Sequence, residues 1–316
     1  MLSRVADAIY WASRYVERAE NVARFIDVNL SLMLDTPSGQ RPSWAALVQT
    51  TGDQEWFREH YGEPTKEAVM QFLTFDRRYP NSILSTVIAA RDNANTVRDI
   101  ISREMWGELN GLYLFVKEAA RNASSSTPEM MNEFYNRVKL AGIYYEGVTN
   151  ATLSRGEAWH FARVGRMIER ADKTSRILDV KYFILLPAAR DIGTTIDQVG
   201  WTALLNSASA LQMYRQRFHV ITPANVAEFL LLDRNFPRSI QYCITAAQES
   251  LHAISNSPLH SFSNEAERRL GQLRASIDYA KIEQVMDSGL HEYLDTLQLT
   301  LNDIGNAVAQ RFFNPA

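Results

Sequence analysis

The chain has 316 residues, 46% of them hydrophobic and 22% charged, which is the balance of an ordinary globular protein. A net charge of −3 gives no overall positive field and argues against a nucleic-acid binder. The single cysteine, Cys243, excludes an internal disulfide and a cysteine-cluster metal site. No apolar run approaches the roughly 20 residues of a membrane-spanning helix, and early charges argue against a signal peptide. We therefore expect a soluble, cytoplasmic protein that binds neither nucleic acid nor membrane.

Apolar residues recur with the 3.6-residue period of amphipathic helices along almost the whole chain. Glycine and proline are few, 14 and 10, and they cluster in predicted loops near 35–39, 122–128 and 255–258. The predicted helices run near 3–33, 66–76, 81–104, 106–121, 128–152, 156–185, 197–217, 223–233, 238–254, 263–285 and 289–313. The sequence thus predicts an all-α fold, a bundle of long helices.

Two segments of the chain occur twice in the same order. Residues 14–28 match 166–180 at an offset of 152, and the Asp-Arg-x-x-Pro-x-Ser segment 76–82 matches 233–239 at an offset of 157. The alternative is convergence between amphipathic helices of similar composition. We expect two helical repeats, 1–153 and 154–316, related by a pseudo-twofold axis and packed as one merged domain.

The first repeated segment carries its charges on one side of a helical wheel. The charged stripe comprises Arg14, Glu17, Arg18, Asn21 and Arg24 in the first copy, and Arg166, Glu169, Arg170, Lys173 and Arg176 in the second. Three interpretations stay open: a solvated helix face, an interior ion network, or a groove that receives an anion. An interior network requires arginine partners for both glutamates, and the stripe supplies them.

A second polar group, Arg91, Asn95 and Arg98, follows i, i+4, i+7 spacing. In the second copy its two arginines are replaced by Gln248 and Ser255. Arginine recognises carboxylates and phosphates through two parallel hydrogen bonds. We expect these three residues to close one cleft, in which they bind an acidic peptide together with charged residues of both stripes. Those charged residues are Arg14, Glu17, Arg18, Arg24, Arg166, Glu169 and Arg170. In the competing interpretation, acidic residues such as Glu104, Glu108 or Glu146 neutralise the surplus positive charge and leave a purely structural network.

The sequence has no phosphate-binding glycine loop and no nucleophile elbow, and no cofactor is expected. Glu157-x-x-His160 and Glu249-x-x-His252 match the spacing of di-metal carboxylate bundles. Chance explains much of this match, so a metal site is only an alternative. Catalysis with Glu17 or Glu169 as general base is another alternative, weakened because adjacent arginines lower a carboxylate pKa.

At these residues the chain resembles the bacterial α-E domain proteins. The resemblance runs over essentially the whole chain and is carried by segments 1–6, 10–20, 90–94, 104–110 and 159–171, which read MLSRVA, YWxxRYVERAE, ARxNA, ExWxxLN and WxFxxxGRxxERA. It implies an all-helical protein encoded beside circularly permuted ATP-grasp ligases and transglutaminase-like proteins. It also implies a role in peptide synthesis or modification. We therefore expect an accessory protein that holds an acidic peptide or docks the ligase, with an enzyme in its own right as the alternative.

Overall fold

The computed structural model describes residues 1–35, 44–184 and 195–314, and within these ranges the fold is all-α, without a strand. The helices are α1 (Ser3–Asp35), α2 (Trp44–Gln49), α3 (Gln54–Tyr61), α4 (Lys66–Thr74), α5 (Ile83–Thr96), α6 (Arg103–Arg121), α7 (Pro128–Thr152), α8 (Glu157–Ile184), α9 (Thr195–Ser207), α10 (Leu211–Arg217), α11 (Pro223–Leu232), α12 (Ile240–Ser255), α13 (Glu265–Asp278), α14 (Ile282–Ser288) and α15 (Leu290–Val308). A π-helical turn, Ala309–Phe313, follows α15. None of the helices in the described ranges could cross a lipid bilayer. Most of the predicted loop at 35–39 lies outside the described residues.

Side-chain caps begin many of these helices by accepting a hydrogen bond from a backbone N–H in the first turn. The capping residues are Thr65, Ser82, Ser102, Thr127, Thr222, Ser239 and Asn264. The repeated Asp-Arg-x-x-Pro-x-Ser segments work in this way: Ser82 starts α5 and Ser239 starts α12.

Two of the predicted long helices are each two shorter ones, and a third is shorter than predicted. The helix predicted over 81–104 ends with α5 at Thr96, and Ser102 caps α6, which was predicted separately over 106–121. The helix predicted over 197–217 breaks at Ser209, whose φ of 51° lies in the left-handed region. The helix predicted over 263–285 is divided between α13 and α14. Helices α2 and α3 were not predicted, since they are too short for a helical period to stand out.

Helix α1 lies at the centre of the fold. It packs against α5, α7, α8 and α9, and α8 packs in turn against α12 and α15. The backbones of α1 and α8 approach closely at Gly165, where an added Cβ would lie 2.5 Å from the Tyr10 carbonyl oxygen. A side chain at this position would force the two helices apart. Glycine therefore sets the distance across which charged side chains of α1 and α8 meet.

Two apolar clusters flank the contact between α1 and α8. The smaller cluster joins the second half of α1 to helices α2 to α7, through side chains such as Ile26, Phe72 and Val138. The larger cluster joins the first half of α1 to α8 and to the helices that follow it, through side chains such as Tyr10 and Ile168. Helix α1 is therefore buried on several sides, and its charged stripe also lies in the interior.

Candidate functional site

Two Glu-Arg dipeptides, Glu17-Arg18 on α1 and Glu169-Arg170 on α8, exchange partners across the helix contact. Arg170 donates from Nε and Nη2 to the two carboxylate oxygens of Glu17, at 2.9 and 2.8 Å. Arg18 donates from Nε and Nη2 to those of Glu169, at 2.6 and 3.0 Å. Glu17 is 2% exposed and Glu169 is 0% exposed. Each glutamate therefore accepts a two-bond, charge-assisted contact from the arginine of the other dipeptide.

The first of two ion clusters surrounds Glu17. The Glu17 cluster comprises Glu17, Glu20, Arg24, Glu146, Arg166, Arg170 and Arg238. Arg238, which follows Pro237, pairs with Glu17 at 3.2 Å and also with Glu20. Arg24 pairs with Glu20 at 2.8 Å. This cluster holds four cationic and three anionic side chains, all well buried except Glu146, whose side chain is 29% exposed.

The second ion cluster surrounds Glu169. The Glu169 cluster comprises Arg14, Arg18, Glu169, Asp172, Lys173 and Arg176. Arg14 donates to Glu169 at 2.9 Å, and Asp172 pairs with Lys173 at 2.9 Å and with Arg176 at 3.0 Å. Four cationic side chains here face only two carboxylates.

The carboxylates of Glu17, Glu169 and Asp172 are held in the ionised form. Burial opposes ionisation of Glu17, but the charges of Arg170 and Arg238 prevail and lower its pKa to about 2. Lys173 and Arg176 likewise overcome burial and lower the pKa of Asp172 to about 2. The pKa of Glu169 also lies well below its ordinary value. Such carboxylates are weak bases, and this geometry does not favour Glu17 or Glu169 as a general base.

The charged stripes are therefore an interior ion network, and the solvated-face interpretation is wrong. Of the acidic residues considered as neutralising partners, Glu146 joins the network, whereas Glu104 and Glu108 are exposed. The surplus of positive charge is only partly neutralised, because both clusters contain more cations than carboxylates.

Surplus charge reaches solvent beside the Glu169 cluster. Arg18, Lys173 and Arg176 line a cavity of about 30 Å³, and their side chains are 15%, 14% and 18% exposed. Asn81 also lines this cavity and accepts a hydrogen bond from Arg18 Nη1 at 2.7 Å. The volume suits one or two waters or the head of one small anionic group.

The structure does not join Arg91, Asn95 and Arg98 to either cluster. Arg91 donates to Asn110 at 3.0 Å, and the guanidinium group of Arg98 lies 4.5 Å from the ring centre of Trp106. Asn95 and Arg98 are exposed. No hydrogen bond or ion pair described for the three residues reaches the network, because aromatic and amide side chains of α6 hold the arginines at the surface. No described contact joins this group to the clusters in one cleft, and its role in binding stays a prediction.

The two Glu-x-x-His motifs lie in separate environments. Glu157 pairs with the amino group of Met1 at 2.6 Å, and Glu249 pairs with Arg163 at 3.2 Å. His160 is half-buried, and His252 is buried beside Ser257. Within the described ranges, no group of three or more His, Cys, Asp or Glu side chains is arranged to hold a metal ion. The geometry therefore gives the di-metal alternative no support.

Sequence reasoning missed three members of the network: Glu20, Asp172 and Arg238. Glu20 and Asp172 occupy matching positions, each three residues after the central glutamate of its cluster, and this spacing could have identified both. Arg238 gave no such signal, because the aligned position in the first copy is the uncharged Asn81. Only the packing of α12 against α8 shows that Arg238 reaches Glu17.

Comparison with known proteins identifies the family of the chain, and the relatives it finds are uncharacterised. A family model named Alpha-E, described as a predicted alpha-helical domain with a conserved ER motif, matches residues 1–313. Uncharacterised proteins of Mycobacterium bovis and of two Mycobacterium tuberculosis strains, CDC 1551 and H37Rv, are 25% identical over 335 aligned positions. The alignment covers 96% of this chain and 36% of each relative, so the chain spans about a third of the curated relatives it matches. No solved structure matches the chain.

Proposed function

Since the chain belongs to the Alpha-E family, we propose that it is an accessory binding protein for an ATP-grasp amide ligase in peptide synthesis or modification. Its task is to hold an acidic peptide, or to dock the ligase, through cationic side chains of the Glu169 cluster. The α-E domain proteins that the sequence resembles are encoded beside such ligases and transglutaminase-like proteins. The mycobacterial relatives extend well beyond the matched segment, which leaves room for a partner module in the same chain.

The observation that carries this proposal is the group of cations around the small cavity. The carboxylates of Glu169 and Asp172 are buried, while the cationic heads of Lys173 and Arg176 reach the cavity. The helices hold these cations in place before any ligand binds, so little side-chain entropy is lost on binding. A carboxylate entering here meets positive charge that the protein itself leaves unbalanced.

We propose as well that the ion network arose from duplication of one helical unit, 1–153 and 154–316, packed as one merged domain. The reciprocal exchange between the two Glu-Arg dipeptides supports this idea, since a twofold relation places each dipeptide against the other. Superposition of residues 1–153 on residues 154–316 tests it. Glu17 should fall on Glu169 and Asp76 on Asp233. If either pair falls on helices that do not correspond, the duplication is contradicted.

The binding proposal is tested by calorimetric titration of an oligoglutamate peptide into the wild-type protein, Lys173→Met and the matched control Arg268→Met. Lys173→Met removes one cavity cation and leaves arginine partners for both buried carboxylates. We expect roughly tenfold weaker binding for Lys173→Met, because one charged hydrogen bond is lost, and wild-type affinity for the control. Equal binding by all three proteins, or none by the wild type, would contradict the proposal.

The partnership with the ligase needs a separate experiment. The tagged chain is co-expressed with the neighbouring ATP-grasp ligase, and the ligase should co-purify with it. Lys173→Met should reduce the captured amount if the ligase docks at the cavity. If the ligase co-purifies with neither the wild-type chain nor Lys173→Met, a direct partnership is contradicted.

A further inference from the structure

Arg166 is a buried cation with incomplete hydrogen bonding. It is 5% exposed, and no acceptor among the described residues bonds its Nε or Nη1 atoms. Its described ion pair is with Glu146 Oε1 at 3.5 Å, longer than a charge-assisted hydrogen bond. A buried donor without an acceptor destabilises the protein and favours any acceptor that can reach it.

Arg14, the residue of α1 that aligns with Arg166, has acceptors for both of the corresponding nitrogen atoms. Arg14 donates from Nε to Glu169 at 2.9 Å and from Nη1 to the Tyr10 hydroxyl at 3.0 Å. No described hydrogen bond joins Arg166 to Glu17, which accepts from Asn21, Arg170 and Arg238 instead. The missing acceptor at Arg166 is therefore a specific difference between two arginines at matching positions.

Glu146 stands between this arginine and solvent. Its carboxylate accepts from Arg170 Nη2 at 2.7 Å, and its side chain is 29% exposed, far more than the side chains of Arg166 and Arg170. A side chain on α7 that already reaches solvent can turn outward without unfolding the helix. Its departure would expose two adjacent guanidinium groups.

The buried Tyr145, a neutral side chain, interacts electrostatically with Arg166. Burial raises the pKa of Tyr145 to about 12, although the Ser13 hydroxyl and the charge of Arg166 act in the opposite direction. Both hydroxyls can donate or accept a hydrogen bond without adding negative charge. Besides Glu146, the charge of Glu17 also acts on Arg166, and the Glu17 carboxylate accepts hydrogen bonds from Arg170 and Arg238.

We propose that Arg166 and Arg170 form a binding site for one carboxylate, which displaces the carboxylate of Glu146. The bound carboxylate takes the hydrogen bond that Arg170 now gives to Glu146, and it also accepts from Arg166. In the absence of a ligand, the carboxylate of Glu146 occupies the site. This site is separate from the cavity at Lys173, and it does not depend on the proposed partnership with a ligase.

The experiment follows thermal unfolding of the full chain as sodium acetate replaces sodium chloride at constant ionic strength and neutral pH. A ligand that binds the folded state raises the melting temperature with its concentration. A tetra-alanine peptide with a free C-terminus and its C-terminal amide form the second arm. Acetate tests for a free small carboxylate, and the peptide pair tests for a chain terminus.

We expect saturable stabilisation of the wild type by acetate or by the free peptide, and none by the amide. Glu146→Gln removes the competing charge, and its affinity should be about tenfold higher. Arg166→Met should bind about tenfold more weakly or not at all, and Lys173→Met should bind like the wild type. Absence of stabilisation by both probes, unchanged affinity in Glu146→Gln, or wild-type affinity in Arg166→Met would overturn the proposal. If Arg166→Met fails to fold, the carboxylate affinity of Glu146→Gln alone tests the proposal.

Discussion

The Glu17 and Glu169 clusters begin from the same Glu-Arg dipeptide and end in different electrostatic states. Glu17 gains a second arginine, Arg238, from the residue before the cap of α12. Before the cap of α5, the aligned position is Asn81, which accepts a hydrogen bond from Arg18 and brings no charge. In the Glu169 cluster, Arg18, Lys173 and Arg176 line a small cavity. The comparison shows that the same Glu-Arg dipeptide acquires different partners in the two clusters, because the residue before the helix cap differs.

The largest expected effect comes from removing the central glutamates. Glu17→Ala leaves Arg170 and Arg238 without their central carboxylate in the interior, and it should lower the free energy of unfolding by about 3–5 kcal/mol. Glu169→Ala should cost less, about 2–3 kcal/mol, because Arg14 and Arg18 are partly exposed and can reach water. Urea unfolding measures both values. Equal losses in the two variants would remove the distinction between the clusters.

The stabilising contribution of the ionised Glu17 carboxylate should be lost in a defined acidic pH range. The pKa of Glu17 is about 2 in the folded protein, against an ordinary value of 4.5. Its contribution to stability is therefore complete above about pH 5 and is lost as the pH falls from about 4.5 to 2, roughly 3 kcal/mol in all. In Glu17→Gln the unfolding free energy should depend less steeply on pH across this range. A slope identical to that of the wild type would contradict the ionised, paired state of Glu17.

A matched pair of arginine substitutions compares the same position in the two clusters. Arg14→Met removes well-formed hydrogen bonds to Glu169 and Tyr10 and should destabilise the protein by about 1.5–3 kcal/mol. Arg166→Met removes a buried cation with little hydrogen bonding, and the change should be about zero or slightly stabilising. Urea unfolding at neutral pH, without acetate, provides the measurement. A larger loss for Arg166→Met than for Arg14→Met would reverse this assignment.

Asn81→Asp should move the Glu169 cluster towards charge balance. The new carboxylate lies where the amide oxygen now accepts from Arg18, so stability should rise by about 0.5–1 kcal/mol. The same change should weaken binding of an oligoglutamate peptide, because it fills the cavity with negative charge. Unfolding and calorimetry together measure both effects, and tighter peptide binding in Asn81→Asp would contradict the cavity as a cation site.

Glu265→Ala should have the smallest effect and serves as the surface control for the glutamate substitutions. Glu265 is exposed and pairs with Arg268 and Arg269 on the surface of α13. Exposed ion pairs contribute little because water screens them. The urea midpoint of this variant should equal that of the wild type, and a loss comparable to that of Glu17→Ala would show that burial does not control these effects.

The candidate site could be predicted in part from local sequence. The helical period and the spacing of the stripe placed Arg14, Glu17 and Arg18 on one face, and the number of arginines indicated that both central glutamates have arginine partners. The contacts of Arg91 and Arg98 could not be predicted, because helical spacing shows which residues share a face but not what that face contacts. The contact of Arg98 with Trp106 depends on how α6 packs beside α5.

The sequence by itself determined the all-α class, the main helices with their caps, and the pairing chemistry of the two Glu-Arg dipeptides. These properties follow from interactions within a few residues along the chain: helical periodicity, capping hydrogen bonds and the chemistry of arginine and glutamate. The tertiary structure alone decided that Glu17 and Glu169 are buried, that Arg238 joins one cluster while Asn81 joins the other, and that Arg166 lacks an acceptor. Each of these depends on which helices pack together, because hydrogen-bonding partners more than 60 residues apart along the chain meet only in the folded protein.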